Sequence, residues 1–280
     1  MIHMHNIGFQ YGKKPLFNAL DLAIQKGNIY GLLGMNGAGK TTLLKILSGQ
    51  LFPQEGDVQV LGYNPVLRQK AMLEDLFHLP EEFFLPSMRG DHYLTLYAPF
   101  YPKFDHTAFQ NYCTDFGLDL KQKLHELSFG QKKKFLLSFG LASQTALVIL
   151  DEPTNGLDIP SKSQFRRTVA SAMTQERTFI ISTHQVRDME NLIDPIIIIH
   201  SGRVVLEASL ASLAQQFIIE VEKSEPTGSH IIYSEKIPSG WVTMQQRNEE
   251  SLETPIDLET LFNAVIANPQ AFTHMRRETL

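Results

Sequence analysis

Cysteine is nearly absent from these 280 residues: Cys113 stands alone. No internal disulfide can form, and the chain suits a reducing compartment. Long apolar runs are missing too. The longest, ALVIL (146–150) and IIII (196–199), have strand length and fall far short of the roughly 18 residues a spanning helix needs. The opening MIHMHNIGFQYGKK has no apolar core, which predicts no signal peptide. Work at a membrane would therefore need a partner that does the crossing. Excess positive charge is also lacking. Lys and Arg number 25 against 30 Asp and Glu, a formal net charge of −5, so whole-chain charge does not point to nucleic acid, although a local basic patch stays open. No repeat or low-complexity tract is visible. What remains, 43% hydrophobic and 20% charged, is the composition of an ordinary globular protein with one large or two modest domains.

The first 35 residues read as strands and turns, ending in the apolar strand NIYGLLG (28–34). KTTLLKILSGQ (40–50) has helical spacing at Leu43, Leu44 and Leu47, and DVQVLG (57–62) alternates like a strand. Residues 66–145 change character: helical patterns, many aromatics (Phe83, Phe84, Tyr93, Tyr97, Phe100, Tyr101, Phe104) and four prolines predict a mostly helical insert. TALVILDEP (145–153), RTFIISTH (177–184) and DPIIIIHSGRVV (194–205) are continuous Ile/Val/Leu strands. They alternate with a helix over 161–175 and a short one over Gln185–Leu192. Such runs predict a parallel sheet covered on both faces. Beyond about 206, one helical stretch, three short strands (FIIEVE, HIIYSE, WVTMQQ) and a closing helix over 257–267 follow. KSEPTGS is the loop among them.

Two stretches carry chemistry. GMNGAGKTT (34–42) is Gly-x4-Gly-Lys-Thr-Thr between a predicted strand and a predicted helix, the context a phosphate-binding loop requires. Its glycines let the amides curl inward as an anion nest. Lys40 would reach the β- and γ-phosphates and Thr41 would offer a hydroxyl to Mg²⁺, while the helix dipole adds positive potential. LVILDEP (147–153) ends a strand in two acids. Ligands of parallel sheets lie beyond the carboxyl ends of the strands, so Asp151 would sit beside the loop and hold Mg²⁺, and Glu152 could polarise a water. An acid pair beside phosphates requires the nucleotide to arrive as its Mg²⁺ complex.

With these motifs in order, the chain resembles the ATP-binding subunits of ABC transporters over roughly residues 2–215. GMNGAGKTT is similar to the Walker A motif, LVILDEP to Walker B, LSFGQ (127–131) to the signature, NGLD (155–158) to the D-loop and STH (182–184) to the switch-histidine segment. The resemblance implies an α/β phosphate-loop NTPase fold: an ABC ATPase domain over 1–215 with a helical subdomain at about 82–145, then a small α+β extension over 216–280. It implies ATP and Mg²⁺ as ligands. Asn36, Gly37, Ala38, Gly39, Lys40, Thr41 and Thr42 would line the phosphates, and Tyr11 would stack on adenine. Catalysis would fall to Glu152 as general base, His184 as γ-phosphate sensor and Lys40. Thr41, Asp151 and Glu81 would face the metal; Glu81 stands where the family usually has a glutamine, and Glu82 is a competing register.

The resemblance also implies that two subunits pack head to tail. Ser128, Gly130 and Gln131 of one chain would then close on the ATP of the other, with Asp158 coupling the two sites. A separate membrane permease would be the second partner. The implied location is cytoplasmic, peripheral on the inner face of the cell membrane, and export is expected over import. The competing function is a soluble ABC ATPase acting on ribosomes or nucleic acid, which co-purification with ribosomes would reveal. A nonproductive nucleotide-binding module is disfavoured by the intact Lys40, Asp151, Glu152 and His184.

Several features have a plainer reading. Lys132, Lys133 and Lys134 form a solvated face more readily than a nucleotide contact. His3 and His5 share one face of a strand, and an ordinary strand edge explains them better than a metal. The aromatics at 83–104 suit either a groove for a permease helix or core packing. Phe129 replaces a signature glycine, and Trp241 has no assigned role.

Overall fold

The computed structural model describes residues 1–228, 230–247 and 254–275. Chain order begins with β1 (Ile2–Tyr11), β2 (Lys14–Ile24), β3 (Ile29–Leu33), α1 (Lys40–Leu47) and β4 (Glu55–Val60). β1, β2 and β4 form an antiparallel sheet in the order β2-β1-β4. β1 is therefore the middle strand. His3 and His5 lie on its exposed face rather than on an edge strand, and His5 Nδ1 meets Asp21 Oδ1 at 3.0 Å.

Next come α2 (Lys70–Glu74), β5 (Leu76–Leu79), α3 (Gly90–Tyr97), α4 (His106–Asp115) and α5 (Phe129–Ala142). The stretch expected to be mostly helical thus contains a strand of the central sheet, since β5 pairs in parallel with the later strand Leu147–Asp151. The aromatics largely serve packing. Phe139 on α5 is buried among Phe77, Tyr93, Tyr101, Phe104 and Phe109, with ring centroids 4.9–6.3 Å away. α5 begins as a capping box: Gln131 N–H donates to Ser128 Oγ, and Ser128 N–H donates to Gln131 Oε1. Two otherwise orphaned amides are satisfied reciprocally.

The chain continues through β6 (Leu147–Asp151), α6 (Ile159–Ser171), β7 (Thr178–Thr183), β8 (Ile196–His200) and β9 (Arg203–Ala208). The central sheet runs β5-β6-β7-β3-β8-β9, parallel except for β9. β3, β6 and β7 are buried along their whole length, because helices and the antiparallel sheet cover both faces, as their unbroken apolar runs require. The expected helix over Gln185–Leu192 is only a 3₁₀ turn, Val186–Met189. Asp188 there is drawn away by Lys162 at 2.6 Å and by Thr154, while its carbonyl accepts from Arg166.

The last elements are α7 (Leu210–Gln216), β10 (Phe217–Glu222), β11 (Ile231–Ile237), β12 (Gly240–Gln246) and α8 (Leu258–Ala267). The three strands form an antiparallel sheet in the order β10-β12-β11. Leu258, Leu261, Ala264 and Val265 of α8 share one buried cluster with Ile196 and Ile198 of β8, so the carboxyl-terminal elements pack on the central sheet. No helix among the described residues is long and apolar enough to cross a membrane.

Candidate active site

The register of the central sheet builds the site. β3 lies beside β7, and β7 beside β6, with Leu33 opposite Thr183 and Asp151 opposite Ser182. The three strand ends therefore deliver the loop at 34–39, the acids at 151–152 and His184 to one edge. The loop opens into α1 at Gly39, whose φ of 108° no L side chain adopts comfortably and where a Cβ would come within 2.6 Å of the Phe17 ring. Lys40, 7% exposed, turns back over the loop. It donates to Gly34 O at 2.8 Å and stands 3.6 Å from Glu152 Oε1.

Asp151 and Glu152 are both buried. Ser182 Oγ donates a short hydrogen bond to Asp151 Oδ1 and accepts from Glu152 N–H at 3.0 Å. Asp151 Oδ2 is buried with no partner. Native structures seldom leave such an atom unsatisfied, and a cation is the partner its charge suits. Among the described residues no group of three or more His, Cys, Asp or Glu side chains could hold a metal.

Glu152 sits at φ 46°, a left-handed conformation that costs a non-glycine residue of the order of 1 kcal/mol and clusters at functional sites. Its side chain is held from two sides, by Lys40 and by His184, whose Nδ1 lies 2.9 Å from Glu152 Oε1 and whose N–H donates to Oε2 at 3.4 Å.

A cleft of about 340 Å³ opens over this edge, lined in part by Tyr11, Asn36, Gly37, Gly39, Lys40, Thr41, Thr42, Glu81 and Glu152. Tyr11 is half exposed, and its hydroxyl is 3.1 Å from Thr42 Oγ1. Ala38 lies in the same loop, partly buried. Glu81, rather than Glu82, lines the cleft, and Glu81 Oε1 accepts from Asn155 Nδ2 at 2.9 Å. Ser128, Gly130, Gln131 and Asp158 are not among its lining residues. Asp158 caps α6 by accepting from Ser161 N–H at 2.9 Å, and the Ser161 hydrogen bonds hold its carboxyl below the usual range. The cleft thus offers a glycine-rich loop leading into a helix start, a fixed ammonium and a carboxylate hydrogen-bonded to an imidazole. That is equipment for water attack on a phosphoanhydride.

Comparison with known proteins decides the family. A sequence model described as ABC transporter matches residues 17–155. The ABC transporter ATP-binding protein NatA of Bacillus subtilis is 30% identical over 226 residues, covering 78% of this chain and 90% of NatA. The chain belongs to the ABC transporter ATP-binding proteins. It is an ATPase subunit of that transporter family. The Nod factor export ATP-binding protein I of Burkholderia lata is 29% identical, covering 80% of this chain and 77% of that one. The solved ATP-binding subunit of an ABC transporter superposes with a TM-score of 0.69 at 22% identity, covering 76% of this chain and 91% of that one; this likeness speaks for the fold alone.

Three site-proximal residues, Lys133, Ser182 and Asn155, have roles that the local sequence does not mark. Lys133 does not belong to a solvated face: it is 2% exposed. Its Nζ donates to Glu152 O at 2.9 Å and to Asn155 O at 3.0 Å. Burial pushes its ammonium down to about 8, against the opposing pull of Glu81, Glu152 and Asp151. Ser182 and Asn155 are the partners of Asp151 and Glu81. Lys132 and Lys134 are only partly exposed.

Proposed function

We propose that this ABC ATPase works as a head-to-tail pair, with each ATP held between the loop of one chain and the signature of the other. The carrying observation is the separation of the two motifs. Lys40, Glu81 and Glu152 line one cleft, whereas Ser128 and Gly130 do not. Ser128 caps the 14-residue helix α5, and a helix start is a ready anion site. A second copy is the natural source of the anion.

In this reading Asn36 through Thr42 cradle the phosphates and Tyr11 stacks on the base. Lys40 faces the developing charge of the γ-phosphoryl group. Glu152 accepts the proton of the attacking water, with His184 holding its carboxylate in place. Mg²⁺ would be held by Thr41 and Asp151, with Glu81 nearby, and would supply charge neutralisation at the phosphates. The motor comprises residues 1–215, with 216–280 as a separate extension whose described helix α8 packs on it.

The same reading gives the motor a separate membrane permease. A groove of about 850 Å³ runs between Gln50, Arg68, Phe83, Phe84, Tyr97 and Phe100. Phe84 and Phe100 are 87% and 65% exposed, and exposed aromatics rimmed by polar groups mark interaction sites. Export is favoured because a relative is named for it. The setting is the inner face of the cell membrane.

Complementation tests the head-to-tail arrangement. Lys40→Ala and Gly130→Asp chains should each be inactive alone. In a mixed pair one site carries both lesions and the other none, so mixing should restore up to roughly a quarter of single-turnover hydrolysis, about half the dimers being mixed. No recovery on mixing would refute the shared site.

A further inference from the structure

We propose that Lys133 is a positioning residue for Glu152, tying the signature helix of each chain to the base of that chain's own site. The inference rests on the assignment of Glu152 as general base.

Lys133 lies on α5, five residues after the cap Ser128. Its ammonium spans the turn that follows β6, donating to the carbonyl at its start, Glu152, and to the carbonyl at its end, Asn155. The turn itself closes by Asn155 N–H donating to Glu152 O at 3.2 Å. Both carbonyls are thus held by one cation from a different element, and one of them belongs to Glu152, whose backbone is left-handed. A strained φ/ψ persists only when its surroundings over-determine it, and Lys133 is such a restraint.

A buried ammonium is costly unless its donors are satisfied. Two of its three donors go to the carbonyls. Phe129, the departure from the signature, covers the remaining side: Lys133 Nζ is 5.1 Å from the ring centroid, in cation–π range. Phe129 also stacks on Phe83 at 5.4 Å with an interplanar angle of 16° and lies against Gly156, where a Cβ would come within 2.9 Å of the ring. Phe129 and Lys133 therefore work together. The ring shields the ammonium, and the ammonium locks the turn. Asn155 extends the linkage by donating its side-chain amide to Glu81 in the cleft.

The test compares Lys133→Met, Lys133→Gln and Lys133→Arg in the full-length chain, with Glu152→Gln as control, by steady-state ATP hydrolysis and thermal denaturation. Lys133→Met should lower kcat at least about tenfold while KM for ATP stays within about twofold, because displacing a catalytic group by a fraction of an ångström acts on the transition state. Lys133→Arg, which keeps charge and donors, should recover a large part of kcat. If Lys133→Met does not fold, Lys133→Gln carries the test: its amide keeps two donors but loses the charge and reach, and kcat should still fall at least about threefold. A kcat for the Met or Gln variant within about twofold of wild type, with Glu152→Gln inactive, overturns the positioning role. A loss confined to KM does the same. Full turnover by Glu152→Gln would instead remove the base assignment and this proposal with it.

Discussion

The Glu152 carboxylate and the His184 imidazole meet at 2.9 Å, although 32 residues separate them in sequence. The contact exists because β6 and β7 are parallel neighbours whose last residues reach the same edge. His184 fixes the carboxylate, and the carboxylate fixes the ring.

His184→Ala should therefore lower kcat for ATP by about ten- to a hundredfold, with a smaller effect on KM, because an unheld base loses orientation rather than affinity. Steady-state kinetics with the purified chain measures the split. A rise in KM with kcat unchanged would instead place His184 in binding.

Phe139→Ala should destabilise the fold by about 3–5 kcal/mol, the range for removing a buried aromatic that leaves a cavity. Five aromatic rings surround it, and they cannot all collapse into the space. Urea unfolding gives the number. A change under about 1 kcal/mol would mean the cluster repacks.

Phe84→Ser and Phe100→Ser should each change stability by no more than about 0.5 kcal/mol, since both rings are largely in water. They should nevertheless weaken recovery with a membrane permease in detergent pull-downs. Undiminished recovery of both variants would move the docking surface elsewhere.

His78 predicts an acid-sensitive step. Burial pushes its imidazole from 6.5 down to about 4, a shift opposed by the Asp151 charge and aided by Lys45. Its Nδ1 is 2.8 Å from Gln50 Nε2 and its Nε2 is buried without a partner. Between those two values the unfolded chain takes up a proton that the native chain refuses, so stability falls as pH drops from about 6.5 toward 4 and rises again with pH. The loss is up to about 3 kcal/mol. Across that window wild type should lose stability relative to His78→Gln as pH falls, read from urea midpoints; parallel curves would exclude His78 as the cause.

Much of the site could be read from local pattern. A phosphate loop needs glycines, a lysine and a hydroxyl at fixed spacing, and those constraints act within nine residues. Strands β3, β6 and β7 were legible because full burial forces continuous Ile, Val and Leu, whereas the short β5 was lost in the helical insert. Other readings failed where distant residues intervened. The helix expected after His184 shrank to one turn because Lys162, Thr154 and Arg166 hold Asp188. Lys133 looked solvated beside Lys132 and Lys134 because neighbouring charges in a sequence say nothing about which one a turn from β6 will cover.

The sequence by itself determined the phosphate loop, the acid pair and the continuous apolar runs of β3, β6 and β7, since these depend on residues adjacent in the chain. Tertiary structure alone decided which carboxylate meets which imidazole, that Glu81 rather than Glu82 lines the cleft, and that Phe129 and Lys133 act together. Those are matters of strand register and burial, and both arise only when segments far apart in sequence pack against one another.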